Sequence, residues 1–177
     1  MLIEYDRWFN MANFFYSLVD YNLINRWGEV LDWLFDDNRF DNNNGWNSKM
    51  SGQLTRKIGK LEKIEKRNFI HDSIRNLTFP DSYYDRNETN VSIIISNNTG
   101  SKCKDLVRHI RNGIAHGHTR CKNIDGTPYI EILDYNKNTQ TAYIYMPIDY
   151  IAQIYDMYVS IKNDNNEEEI DILRESA

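Results

Sequence analysis

Apolar residues follow the helical period over the first stretch of the chain. Trp8, Met11, Ala12, Phe15, Leu18 and Val19, continued by Ile24, Trp27, Leu31 and Leu34, predict helix over 3–35, with a break near Asp20 or Asn22. The Asp- and Asn-rich stretch 36–48 around Gly45 then predicts a loop, because short polar side chains compete with helical backbone bonding. Leu54, Ile58, Leu61 and Ile64 make one stripe of a helix over 51–66, whose other positions carry Arg56, Lys57, Lys60, Lys63 and Lys66. Phe69, Ile70, Ile74 and Leu77 suggest a further helix before Pro80, and Val91–Ile95 is a short β-prone run.

A stronger helix follows, capped near Asn98 or Ser101, with Leu106, Val107, Ile110 and Ile114 as its apolar stripe and Gly117 as its stop. The period then changes to two: residues 129–135 and 141–146 alternate around the turn-like 136–140 and predict a hairpin. Pro147 starts a last amphipathic helix with Ile151, Ile154, Tyr155, Tyr158 and Ile161 on its stripe. The fold class expected from this pattern is mainly α: a helical bundle with a small β-hairpin inserted before the last helix. One domain over 1–163, including the hairpin at 129–146, would be followed by an acidic tail over 164–177 that is a candidate for disorder.

Composition narrows the function classes. The chain has 177 residues, enough for one ordinary core, and its four Trp and twelve Tyr supply bulky material for it. No apolar run approaches the length of a membrane span, and Glu4, Asp6 and Arg7 interrupt the place where a secretory signal needs an apolar stretch, so a cytoplasmic location without membrane partners is expected. Cys103 and Cys121 stand apart with no CxxC pair, and the N-x-S/T triplets at Asn76, Asn87, Asn90 and Asn97 are chance products of an Asn-rich chain.

A net charge of −5 argues against nonspecific coating of nucleic acid. Its distribution changes the picture. Between Gly100 and Asn123 six basic residues (Lys102, Lys104, Arg108, Arg111, Arg120, Lys122) oppose the single Asp105, so this segment carries +5 and the remainder −10. Basicity is gathered around the strong helix, and near its end stand Arg111, Asn112 and His116. Asn112 and His116, four apart, share a face, while Arg111 is turned by about 100° from Asn112 yet remains within reach of a common ligand. Guanidinium is a planar, permanently charged fork for phosphate, and imidazole titrates nearest neutral pH, so the group could grasp one phosphate and move a proton beside it.

The string Arg111-Asn-Gly-Ile-Ala-His116 resembles the signature of the HEPN superfamily, specifically over 104–118. The resemblance implies a helical domain whose signature helices pair in a homodimer to form a ribonuclease cleft, in a defence or toxin system with an antitoxin or other defence protein as partner. It implies that Arg111 clamps the phosphate, His116 acts as acid or base, and Asn112 orients the cleft. Lys104, Arg108, His109, His118 and Arg120 are added as candidate RNA contacts. His118 stands where HEPN toxins paired with nucleotidyltransferase antitoxins tend to carry tyrosine, so that mode of control is not expected.

Two other readings compete. A noncatalytic module could use the same helix to bind RNA or nucleotide and to dimerise within a defence complex. A zinc site would need Cys103, Cys121 and two of His109, His116 and His118, at a spacing unlike that of familiar zinc motifs, so no metal or other cofactor is expected. Phosphate-loop, HExxH and GxSxG signatures are missing from the sequence.

Overall fold

A computed structural model describes residues 10, 12–14, 24–36 and 46–175. The predicted helical positions Trp8, Met11, Phe15, Leu18 and Val19, the break near Asp20 or Asn22, and most of the Asn-rich loop (37–45) lie outside these. Helix α1 spans Ile24–Phe35, α2 Ser48–Ile58, α3 Lys102–Ala115 and α4 Asp149–Glu175. Strands β1 (Phe69–Asp72), β2 (Ser92–Ser96), β3 (Thr119–Ile124), β4 (Thr127–Asn136) and β5 (Thr139–Pro147) form one sheet in the order β1-β2-β5-β4-β3. Only β1 and β2 are parallel.

This corrects the expected fold class. The domain is not a mainly helical bundle carrying an inserted hairpin; it is a mixed architecture in which a five-stranded sheet packs against the helices. The hairpin β4–β5 is present, but as the middle of that sheet. Two further expectations fail locally. The helix expected over 51–66 starts at Ser48, where the Asn47 side chain accepts the Met50 N–H, and ends at Ile58. The helix expected from Phe69 is instead strand β1 followed by a single 3-10 turn at Ile74–Asn76.

Alternation along the strands explains the two layers. Ile93 and Ile95 of β2, Ile130 and Ile132 of β4, and Ala142, Ile144 and Met146 of β5 face the helices and join the main core with Trp27, Leu54, Leu106, Ile110 and Ile151. The intervening Ile94, Tyr129, Tyr143 and Tyr145 face the other way, under Leu77, Phe79, Tyr83 and Tyr84 of the connection between β1 and β2. β2, in the interior of the sheet with both faces covered, is buried at every position, which is why its centre, Ile93–Ile95, reads as an unbroken apolar run between two buried serines. α4 begins at Asp149, just after Pro147 ends β5, and its backbone stays helical through the acidic segment to Glu175.

α3 approaches the sheet closely at Gly113. A Cβ there would lie 2.2 Å from Ile132 Cγ2 and 2.9 Å from the Leu133 carbonyl oxygen. The side chain could yield, but the carbonyl is fixed in β4. Gly113→Ala is therefore expected to cost about 1–3 kcal/mol through overpacking, outweighing the gain of about 1 kcal/mol in helix propensity. Thermal denaturation checks this: Tm should fall, and an unchanged or raised Tm would show that α3 can move off β4.

Candidate functional site

The ends of α3 are tied down by different means. At its start the Ser101 side chain accepts the Lys104 N–H. Asp105, fully buried, accepts the Asn98 and Thr99 N–H groups at 2.9 and 3.1 Å and lies 2.9 Å from His71 Nε2. Arg108 Nη2 lies 3.2 Å from its second oxygen. Burial alone would raise the Asp105 carboxyl, but these hydrogen bonds and the Arg108 charge hold it below its ordinary value.

At the other end His116 is the capping residue and Gly117 adopts φ +69°, as a left-handed stop requires. Gly117 N–H donates to Ile114 O and His118 N–H to Gly113 O, the paired bonds of a Schellman motif. Asn10 adds a side-chain donor to Ala115 O at 3.0 Å. This geometry turns the chain out of the helix and leaves His116 and His118 exposed, with ring centroids 6.0 Å apart.

Beside this end is an open cleft of about 450 Å3. Arg108, His109, Asn112 and His116 line it from α3, and Asp134, Tyr135 and Lys137 from the tip of the β4–β5 hairpin. The helix and the hairpin are joined by a buried chain. His109 Nδ1 lies 2.7 Å from Asp134 Oδ2, its Nε2 lies 3.2 Å from Ser96 Oγ, and Asn112 Nδ2 donates to the same Asp134 oxygen at 3.2 Å. Burial would raise the Asp134 carboxyl, but His109, Asn112 and the Tyr135 N–H together hold it below the ordinary value. Asp134 is thus an ionised acceptor that fixes the Asn112 amide.

The sequence-predicted residues divide among different places. His116, Asn112, Arg108 and His109 meet in the cleft, although His109 is only 2% exposed. Arg111 is half-buried one step round α3 and does not line it. Lys104 borders a separate, broader cleft between α2 and the first turn of α3. Arg120 lies on the far face of the sheet, because β3 alternates. There it bonds Glu131, Asp85 and Ser82 and stands 4.4 Å from the Tyr84 ring centre, so the basic segment 100–123 does not form one continuous surface.

Cys103 is buried with its Sγ 3.3 Å from Ser51 O, and burial pushes the Cys121 thiol up to about 12. Among the described residues no group of three or more His, Cys, Asp and Glu side chains is placed to hold a metal ion. Sequence reasoning missed Asp134, Ser96 and Tyr135. Asp134 had left a usable signal: it follows Ile130 and Ile132 at the inward positions of β4, where a carboxylate needs a partner.

No curated protein and no solved structure gives a significant match to the chain. Residues 35–169, most of the chain, match a family model described as HEPN pEK499 p136, and the match includes α2, α3, all five strands and the cleft. No described helix is long and apolar enough to cross a membrane. The protein belongs to the HEPN pEK499 p136 family, and with it to the HEPN superfamily.

Proposed function

We propose that the protein is a metal-independent endoribonuclease of a defence or toxin system, acting as a homodimer in which two copies of α3 face one another. HEPN domains are often nucleases in such systems. The observation that carries the reading is the placement of His116 at the cap of α3, exposed, in one cleft with the anchored Asn112 and the Arg108 guanidinium.

In the proposed step a His116 imidazole takes the proton of a ribose 2′-hydroxyl. Its oxygen bonds to the adjacent phosphorus, the bond from phosphorus to the 5′-oxygen breaks, and the second protomer's His116 gives that oxygen a proton. The products are a 2′,3′-cyclic phosphate and a 5′-hydroxyl. Arg111, which stands one step round α3 from the cleft of its own chain, would bear on the phosphoryl oxygens across the facing pair of helices as negative charge accumulates. A cytoplasmic protein with RNA as substrate and an antitoxin or other defence protein as regulator completes the proposal.

The test is incubation of purified protein with total RNA in EDTA, with mapping of new ends. Cleavage leaving cyclic phosphates supports the reading; a requirement for a divalent metal overturns the mechanism. Arg111→Ala is expected to lower turnover about 100-fold while RNA binding persists, the signature of a group that acts on the transition state. Tight RNA binding by a wild type without turnover would instead indicate the noncatalytic module.

A further inference from the structure

We propose that Tyr135, with His118 against it, is a stacking subsite for one unpaired nucleobase of single-stranded RNA beside the His116 end of the cleft. The inference deepens the RNA reading of this site and rests on it.

Three observations point to a base. Between Asp134 and Tyr135 the register of β4 to β5 shifts: Asp134 pairs with Ala142 and Tyr135 with Gln140, so Thr141 of β5 is the extra residue. Asp134 and Tyr135, consecutive residues beside this irregularity, both line the cleft, as fits the added local twist by which a bulge re-aims neighbouring side chains. Tyr135 is then left 38% exposed, the only Phe, Trp or Tyr among the described residues in the exposed class, on a hairpin tip and not in a core.

The rings are arranged as a short row. Tyr135 meets His118 edge to face at 5.2 Å, and His118 lies 6.0 Å from His116. An edge-to-face pair occupies only one face of one ring, so the row retains π surface for a planar ligand at the margin of the proposed reaction centre. A bare apolar ligand would not need the charge that accompanies it. Lys137, in the left-handed conformation at the hairpin turn with φ +55°, and Arg108, one of whose nitrogens is paired with Asp105, place two cations in the same cleft, while Asp134 is already engaged by His109 and Asn112. Cations beside an exposed ring suit a phosphodiester carrying an unstacked base, the form in which single strands offer π faces to protein aromatics.

The experiment uses uncleavable 2′-O-methyl oligonucleotides with 2-aminopurine at each position in turn, so binding is read without turnover. Wild type should quench the fluorophore at one position. Tyr135→Ala should abolish that quench and raise Kd about tenfold or more, whereas Tyr135→Phe retains both. Tyr135→Leu supplies bulk without a π face and should bind as weakly as alanine. Wild type without a position-specific quench, or Tyr135→Leu binding as wild type does, overturns the subsite. Sedimentation of the same variants tests the other occupant: if Tyr135→Ala changes oligomeric state and RNA affinity together, the ring belongs to a protein interface and the assignment fails. Cleavage in EDTA, measured in parallel, keeps the two ideas apart. Cleavage without quenching removes the base subsite alone, and quenching without cleavage removes the nuclease alone.

Discussion

His116→Ala is expected to lose RNA cleavage by about 100- to 10,000-fold, the range for removing a positioned general acid or base. In a homodimer the variant removes both proposed proton-transfer groups, which places the effect toward the upper end. The fold should be nearly unaffected. His116 is exposed and caps α3 through its backbone: the bond from its N–H to Asn112 O at 2.9 Å does not involve the imidazole. Tm should consequently stay close to that of wild type, as for most surface substitutions. His118→Ala supplies the contrast, compared at saturating RNA: that ring is also exposed and nearby and belongs to the proposed base subsite, but it has no proton-transfer role in the proposed step, so its loss should act on KM and not on kcat. Initial rates on a mapped RNA, with both variants purified identically, decide the matter. Equal losses in the two variants would mean that the cleft needs its rings and not the chemistry of His116.

The site helix was readable because each of its features is local. Ser101 as cap, the stripe through Leu106, Ile110 and Ile114, and Gly117 as stop specify α3 without reference to the rest of the chain. β4 and β5 were readable for the same reason, their alternation being strong and their turn short. The sheet as a whole was not. Its edge strands β1 and β3 have four and six residues, and β3 has no fully buried position, so neither strand carries an alternating pattern that stands out from a loop. The apolar spacing from Phe69 to Leu77 mimicked a helix because Phe69 packs in the main core while Leu77 packs on the opposite side of the sheet. Likewise Leu61 and Ile64 continue the apolar spacing of α2 and are buried, yet by turns and not by helix, with Lys63 at φ +65°. Periodicity reports that residues are buried at a given spacing; it does not report which layer buries them. For the site, the motif located His116 and Asn112, but the hairpin side of the cleft depends on long-range packing, as the 22-residue separation of Asn112 and Asp134 shows.

That packing makes Asp134→Ala the substitution with the largest expected effect on stability, about 3–5 kcal/mol, the range for removing one partner of a buried pair. Asp134 is 4% exposed and its carboxylate serves His109, Asn112 and the Tyr135 N–H together, so its removal strands three donors in or beside the core. For a domain of this size the loss corresponds to a Tm decrease of about 10 °C. Asp134→Asn keeps the shape and one carbonyl acceptor and should lose less. Acid titration separates charge from shape. Because the folded-state carboxyl is held below its ordinary 3.8, ionised Asp134 contributes stability that is fully present above that value and disappears as pH falls through the lower folded one. The stability gap between wild type and Asp134→Asn should therefore be constant from neutral pH down to about pH 5 and close below about pH 4. A gap that persists undiminished at the acid end would mean that the carboxylate charge is not its source. Activity should follow the same residue by another route: with one neutral carbonyl left to serve both His109 and Asn112, the Asn112 amide is held less firmly toward the hairpin, so Asp134→Asn, assayed well below its own Tm, should cleave more slowly than wild type while still binding RNA. A fully active Asp134→Asn would make the buried chain a support of the fold alone.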